Sequence, residues 1–163
     1  MDEIVLRAMA RWPDVPDVYG WLELDRRGEW RLRVAAGGVF ERIANAGLRE
    51  FVCRNYDRDA RGRWYFQNGP QRVFARLAYT PLVARLEAGE LRDHCGRAFG
   101  VPAGIWLDDE GSIVLAGTRG VAVLDDRDLE RFAERLPEAP EALPRIARSA
   151  LAERFGFVPD PQP

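Results

Sequence analysis

Six side chains in one short stretch have the types and spacing to hold an anion or a flat ring. Arg63, Tyr65 and Gln67 alternate with Trp64 and Phe66, and Arg72, Phe74 and Arg76 alternate with Val73, Ala75 and Leu77. Period-two alternation puts each set on one face of a strand. Between the two runs stands Asn68-Gly69, a preferred two-residue hairpin turn. Folding there sets Gln67 opposite Pro70, Tyr65 opposite Arg72 and Arg63 opposite Phe74. Guanidinium groups and rings then interleave, which is the chemistry of cation–π contact, base stacking and anion binding. Arg63, Tyr65, Gln67, Arg72, Phe74 and Arg76 are therefore the candidate ligand-binding residues. The plainer alternative is a solvated face on which Arg stems cover Tyr65 and Phe74.

Other residues with chemical potential lack partners in the sequence. His94 is the one histidine and stands in Asp93-His94-Cys95. Leu91–Cys95 reads as a short strand, where neighbours point to opposite faces, so His94 and Cys95 are not expected to meet. A cysteine nucleophile needs a base in contact with it. Cys53 falls near the inward stripe of a helix, a packing position. Asp108-Asp109-Glu110 reads as a turn and Asp125-Asp126-Arg127-Asp128 as a helix cap. Neither has calcium-loop spacing. Gly37-Gly38 lacks the Gly-Lys-Ser/Thr that follows in a phosphate loop, and no Gly-x-Ser-x-Gly elbow occurs. The sequence thus assigns no catalytic residue, no metal ligand and no cofactor.

The elements that would position the candidate face read as follows. Residues 3–12 form a helix with Ile4, Val5, Ala8, Met9 and Trp12 on one stripe, ended by Pro13 and Pro16. Residues 21–24 and 30–34 flank the turn Asp25-Arg26-Arg27-Gly28. Val39–Ile43 is a third strand. Asn45 caps a helix over 46–56 with Leu48, Phe51, Val52 and Asn55 inward. Asp57–Gly62 is a polar turn leading into the 63–77 hairpin. Leu82–Leu86 and Leu91–Cys95 are strands turned by Gly89-Glu90. Residues 104–107 and 112–116 form a hairpin, 121–124 a further strand, and Asp125 or Asp126 caps a helix to Leu136. A last helix runs from 141 or 144 to Phe155, and 160–163 are expected to fray. The motif Asp-x-x-Gly-x-Trp/Ile recurs at Asp25, Asp59 and Asp108, as either an internal duplication or independent use of a good turn.

The fold class is α+β, an antiparallel β-hairpin meander of roughly eight strands in one or two sheets, covered by three to four helices. Residues 1–136 read as one domain, and 137–163 as a Pro-rich linker with a C-terminal helix packing on it.

Composition narrows the function classes. All 24 basic residues are Arg, against 26 acids. Residues 59–107 carry a net +3 and residues 108–163 a net −5, an oriented surface too weak to be a nucleic-acid tail. Two cysteines in unlike contexts fit free thiols in a reducing, cytoplasmic setting. No run approaches the roughly 18 apolar residues of a membrane span.

Tyr19-Gly20-Trp21-Leu22, Arg54-Asn55-Tyr56 and Gly62–Val73 (Gly-Arg-Trp-Tyr-Phe-Gln-Asn-Gly-Pro-Gln-Arg-Val) resemble an uncharacterised proteobacterial family of unknown function. The resemblance covers about residues 1–135 and implies a bacterial, cytoplasmic origin. It transfers no activity, ligand or site. Three functions follow as expectations. The first is a non-catalytic binding or adaptor module contacting another protein or a second copy. The second is a nucleic-acid or anionic-ligand binder using the Arg/aromatic face. The third is a small enzyme without a recognisable motif. No membrane association is expected.

Overall fold

Four tight turns of one kind set the strands. The computed structural model describes residues 1–163. In Asp59–Gly62 the aspartate Oδ1 accepts the backbone N–H of Arg61 and of Arg63, both at 2.9 Å. In Asp108–Gly111 it accepts from Glu110 at 2.9 Å and Ser112 at 2.6 Å, and in Asp25–Gly28 from Glu29 at 2.9 Å. The fourth turn is Asp93-His94-Cys95-Gly96, whose Oδ1 accepts from Cys95 and Arg97 at 2.9 and 3.0 Å. The closing glycines lie at φ of 77°, 75°, 76° and 85° in chain order, where a side chain is disfavoured. Each aspartate's Oδ2 holds a further side chain. Arg31, Arg63 and Arg119 serve Asp25, Asp59 and Asp93 at 3.1, 2.7 and 2.7 Å, and the Tyr79 hydroxyl serves Asp108.

Twelve strands and four α-helices result. The first sheet is built from β1 (Val18–Leu24), β2 (Trp30–Arg33), β3 (Phe40–Arg42), β4 (Tyr56–Arg58), β5 (Trp64–Asn68) and β6 (Gln71–Leu77), in the order β3-β2-β1-β6-β5-β4. The second uses β7 (Leu82–Glu87), β8 (Glu90–Asp93), β9 (Gly104–Asp108), β10 (Ile113–Ala116), β11 (Val121–Leu124) and β12 (Arg145–Ile146), in the order β12-β9-β10-β11-β7-β8. In each sheet two arms meet at a parallel pair formed by an early and a late strand, β1 with β6 and β7 with β11, and the arms are antiparallel except where β12 joins β9. Both arms that carry a complete Asp-x-x-Gly hairpin in the later half of a sheet, β4–β5 and β9–β10, occupy matching places in this pattern. The helices are α1 (Glu3–Arg11), α2 (Ala46–Arg54), α3 (Leu129–Ala133) and α4 (Leu151–Phe155). Asn45 caps α2 by accepting the Leu48 N–H at 2.9 Å.

The chain divides into two compact units. The first comprises Met1–Asp25, Glu29–Ala78 and Gly156–Pro163, and the second Arg26–Gly28 with Tyr79–Phe155. In the first unit Trp30, Tyr56 and Trp64 form an aromatic core, with ring centroids 4.8 and 4.9 Å apart and all three buried. Its last segment seals the β4–β5 turn, where Val158 donates to the Gly62 carbonyl at 3.0 Å and Leu77 to the Pro159 carbonyl at 2.7 Å. In the second unit β11 is apolar and buried throughout. Such a run belongs to a strand buried on both faces, which a parallel pair favours.

The α+β class stands, but there are twelve strands rather than eight and both sheets are mixed, because β1–β6, β7–β11 and β9–β12 pair in parallel. Period-two patterning reports faces, not strand direction. A helix over 141–155 is replaced by β12 and the short α4, since Pro144 removes a helix donor and leads into an extended pair. Residues 160–163 do not simply fray, as Pro161 is buried. Leu91–Cys95 is not one strand. β8 ends at Asp93 and the chain turns, so the ligand atoms of His94 and Cys95 come within 4.8 Å.

Two predictions follow from the turns. A Cβ on Gly62 would lie 2.0 Å from the Gly156 carbonyl oxygen at a φ of +75°. Gly62→Ala should therefore cost at least about 2 kcal/mol in urea unfolding. An unchanged midpoint would show that residues 156–163 do not pack there. Burial, with Arg85, Arg119 and Arg97 nearby, lowers the His94 pKa from 6.5 to about 3, and its Nδ1 accepts the Val83 N–H at 3.3 Å. The unfolded chain takes up a proton that the folded chain refuses, so stability falls as pH drops below the unfolded value. Between pH 6.5 and 4.5 the loss should be about 2 kcal/mol. His94→Asn should flatten the pH dependence over that window.

Candidate functional site

Hairpin β5–β6 carries five of the six candidate residues on one face, as their alternation requires, and Arg63, just before β5, lies over the Phe74 ring on that face. The observed partners are Tyr65 with Phe74, Gln67 with Arg72 and Asn68 with Gln71. The turn is therefore Gly69-Pro70, one residue later than Asn68-Gly69, and the register moves by two. A shift of two preserves faces, whereas a shift of one would have inverted them. Gly69 takes φ +57°, and proline's fixed φ suits the second turn position.

Most of this face is already occupied. Tyr19 of β1 stacks on Phe74 at 4.8 Å and 8°, and the Arg63 guanidinium lies 4.4 Å from the Phe74 centroid. Arg63 is held by Asp59 at 2.7 Å and by the Tyr19 hydroxyl at 3.2 Å. Burial raises the Asp59 pKa, but bonds from the Arg63 and Arg61 N–H groups and the Arg63 guanidinium bring it below the ordinary carboxylate range. Arg76 pairs with Glu23 at 3.7 Å across the parallel junction. Tyr65 and Phe74 are 6% and 1% exposed, and burial pushes the Tyr65 hydroxyl pKa upward. Neither ring is open for a base to stack on. The covering of these rings by Arg stems is the plainer arrangement considered from the sequence.

Gln67 and Arg72 differ from the other four. Arg72 lies 5.0 Å from the Tyr65 ring and has no carboxylate partner. Gln67 is fully buried. Its Nε2 donates to the Gly69 carbonyl at 2.9 Å, and its Oε1 accepts nothing. Reversing the amide would set two acceptors against each other, so Oε1 is the atom left over. Both residues line a hollow of about 270 Å³ with Met9, Trp12, Val15 and Asp17. These come from the end of α1 and the connection to β1, which is tied to β6 by Gln71 Nε2 donating to the Pro16 carbonyl at 3.1 Å. Asp17 has no ion pair and accepts only from the Tyr19 hydroxyl, at 3.5 Å.

Sequence reasoning found Gln67 and Arg72 but missed Asp17, Trp12 and Met9. Pro13 and Pro16 were the available signal, since a stiff connection holds its neighbours in place.

Elsewhere Arg33 Nε is also buried without a hydrogen-bond partner, but that guanidinium lies over the Phe40 ring at 4.4 Å. The Tyr79 ring meets the guanidinium groups of Arg26 and Arg148, each 4.7 Å from its centroid, and both arginines bind Glu110 at 2.8–2.9 Å. Asp125, with a pKa lowered to about 2 by bonds from Arg127 that outweigh burial, holds Arg127 and Arg85. A larger hollow of about 440 Å³ is lined by Leu91, Val101, Pro102, Phe132 and Arg135. There Arg135 already donates to the Gly89 carbonyl at 2.7 Å. Its size is not matched by any polar group awaiting a partner, so the smaller hollow is the stronger candidate.

Residues 1–162 match the family DUF2944, described as "Protein of unknown function (DUF2946)". The chain belongs to this family. The resemblance read from the sequence thus holds, over a longer span than 1–135. No curated protein matches the chain. Two crystal structures of DUF1285 family proteins are similar in fold. One, from Silicibacter pomeroyi, shares 16% identity at a TM-score of 0.55 and covers 82% of this chain and 84% of its own. The other, from Shewanella baltica, shares 14% at 0.51, covering 71% and 91%. At such identities the likeness extends to the fold alone. No helix is long and apolar enough to cross a membrane.

A buried acceptor kept without a donor should be dispensable to folding. Gln67→Met deletes the bond to the Gly69 carbonyl along with Oε1, so the loss of unfolding free energy should stay below about 2 kcal/mol. A loss above about 2 kcal/mol would show that Oε1 is structurally engaged.

Proposed function

We propose that this chain is a non-catalytic binding module whose ligand presents an anionic group to Arg72. The observation that carries the reading is the register pair Gln67–Arg72, which lines one hollow with an acceptor lacking a donor and a cation lacking a counter-ion. A buried polar atom left open is costly and marks a place where a partner is supplied from outside. The hollow contains no histidine, cysteine or serine, so it offers no nucleophile–base set. Base stacking is disfavoured because Tyr65 and Phe74 are covered. Contact with another protein is the second reading, favoured by Ile4, Leu6 and Trp12, which are 66%, 51% and 50% exposed on and after α1.

The test is a nitrogen-15 NMR titration with propionate and, separately, inorganic phosphate. At least one anion should shift the Arg72 Nε–H, the Gln67 amide and the Trp12 indole together. Arg72→Ala should weaken that response at least about tenfold, as expected for loss of a charge-assisted pair. Shifts spread evenly over the other arginines, or an unchanged response in Arg72→Ala, would overturn the reading.

A further inference from the structure

The hollow's unmatched groups ask for more than an anion. A carboxylate on Arg72 would leave Gln67 Oε1 without a donor, because a carboxylate only accepts. The amide cannot turn to relieve this, since Nε2 is committed to the Gly69 carbonyl at 2.9 Å. Asp17, which lines the same hollow, lacks a cation. A cationic amine alone would suit Asp17 and Gln67 but would meet Arg72 as a like charge. One molecule satisfies all three when it carries an ammonium and a carboxylate together. Met9, Trp12 and Val15 supply apolar walls for the remainder of such a molecule. A hollow of about 270 Å³ is of small-molecule size.

We propose that this site takes a free α-amino acid with an apolar side chain, its carboxylate on Arg72 and its ammonium on Gln67 Oε1 and Asp17. The proposal rests on the reading of Arg72 as an anion site and adds the cationic half of the ligand. Arg72 and Asp17 set the ligand's polarity along the hollow. Gln67, being uncharged and fully buried, selects for a ligand that carries an N–H.

The experiment is a thermal-shift screen of the full chain against the twenty standard amino acids, each at 10 mM. Calorimetry then follows on the best binder, its des-amino acid, its 2-hydroxy acid and its carboxamide. The amino acid is expected to bind at least tenfold more tightly than each of the three analogues. Asp17→Asn and Gln67→Met should bring the amino acid down to the level of its des-amino acid, with the folded state retained. If the des-amino acid binds as well as the amino acid and Arg72→Ala abolishes both, the zwitterion inference fails and the anion site stands. If no amino acid stabilises the protein while propionate still shifts Arg72, the outcome is the same. If none of the amino acids, propionate or phosphate acts through Arg72, both readings fail. The wild-type analogue series decides the question even should a variant not fold.

Discussion

In each Asp-x-x-Gly turn one carboxylate oxygen accepts backbone N–H groups that have no strand partner, and a glycine at positive φ returns the chain. The strands on either side then start in a fixed register, and register decides which side chains face the core. The second carboxylate oxygen ties the turn to an arginine or a tyrosine elsewhere in the same unit. The interaction is local in sequence but long in reach. Through Asp59 it holds Arg63 over Phe74, which shields the hairpin face and leaves only its far end open. The arrangement of the candidate site is thus a consequence of a turn at the opposite end of the same hairpin.

Much of this was legible in the residues. Alternation gave the correct faces for β5 and β6 even though the turn was displaced by one residue, because Asn68-Gly69 and Gly69-Pro70 are both good turn pairs and differ by an even register step. Three of the four turns were visible as Asp-x-x-Gly. The fourth was hidden because His94 and Cys95 follow Leu91 in a run that also fits a strand. Parallel pairing was not legible, since it joins segments some fifty residues apart whose composition says only that they are buried. Nor was the covering of Phe74 by Tyr19, which depends on β1 lying beside β6 rather than beside β2 alone.

Within one hairpin face, chemistry has been divided between structure and availability. Arg63 and Arg76 are spent on carboxylates, and Tyr65 and Phe74 on packing. Gln67 and Arg72, at the turn end, keep unmatched groups beside the α1–β1 connection. Sequence position near a proline-stiffened loop and a two-residue turn gives these groups fixed neighbours without consuming them. Two DUF1285 family proteins share the fold at 16% and 14% identity.

The return of residues 156–163 to the first unit has a consequence for biosynthesis. A ribosome delivers the segment that bonds Gly62 and Leu77 only after every residue of the second unit has been added. Until then the carbonyl of Gly62 and the N–H of Leu77 must be served by water. The nascent chain therefore carries its first sheet in an unsealed form, and residues 156–163 act as a late-arriving latch that completes the unit begun before the second one.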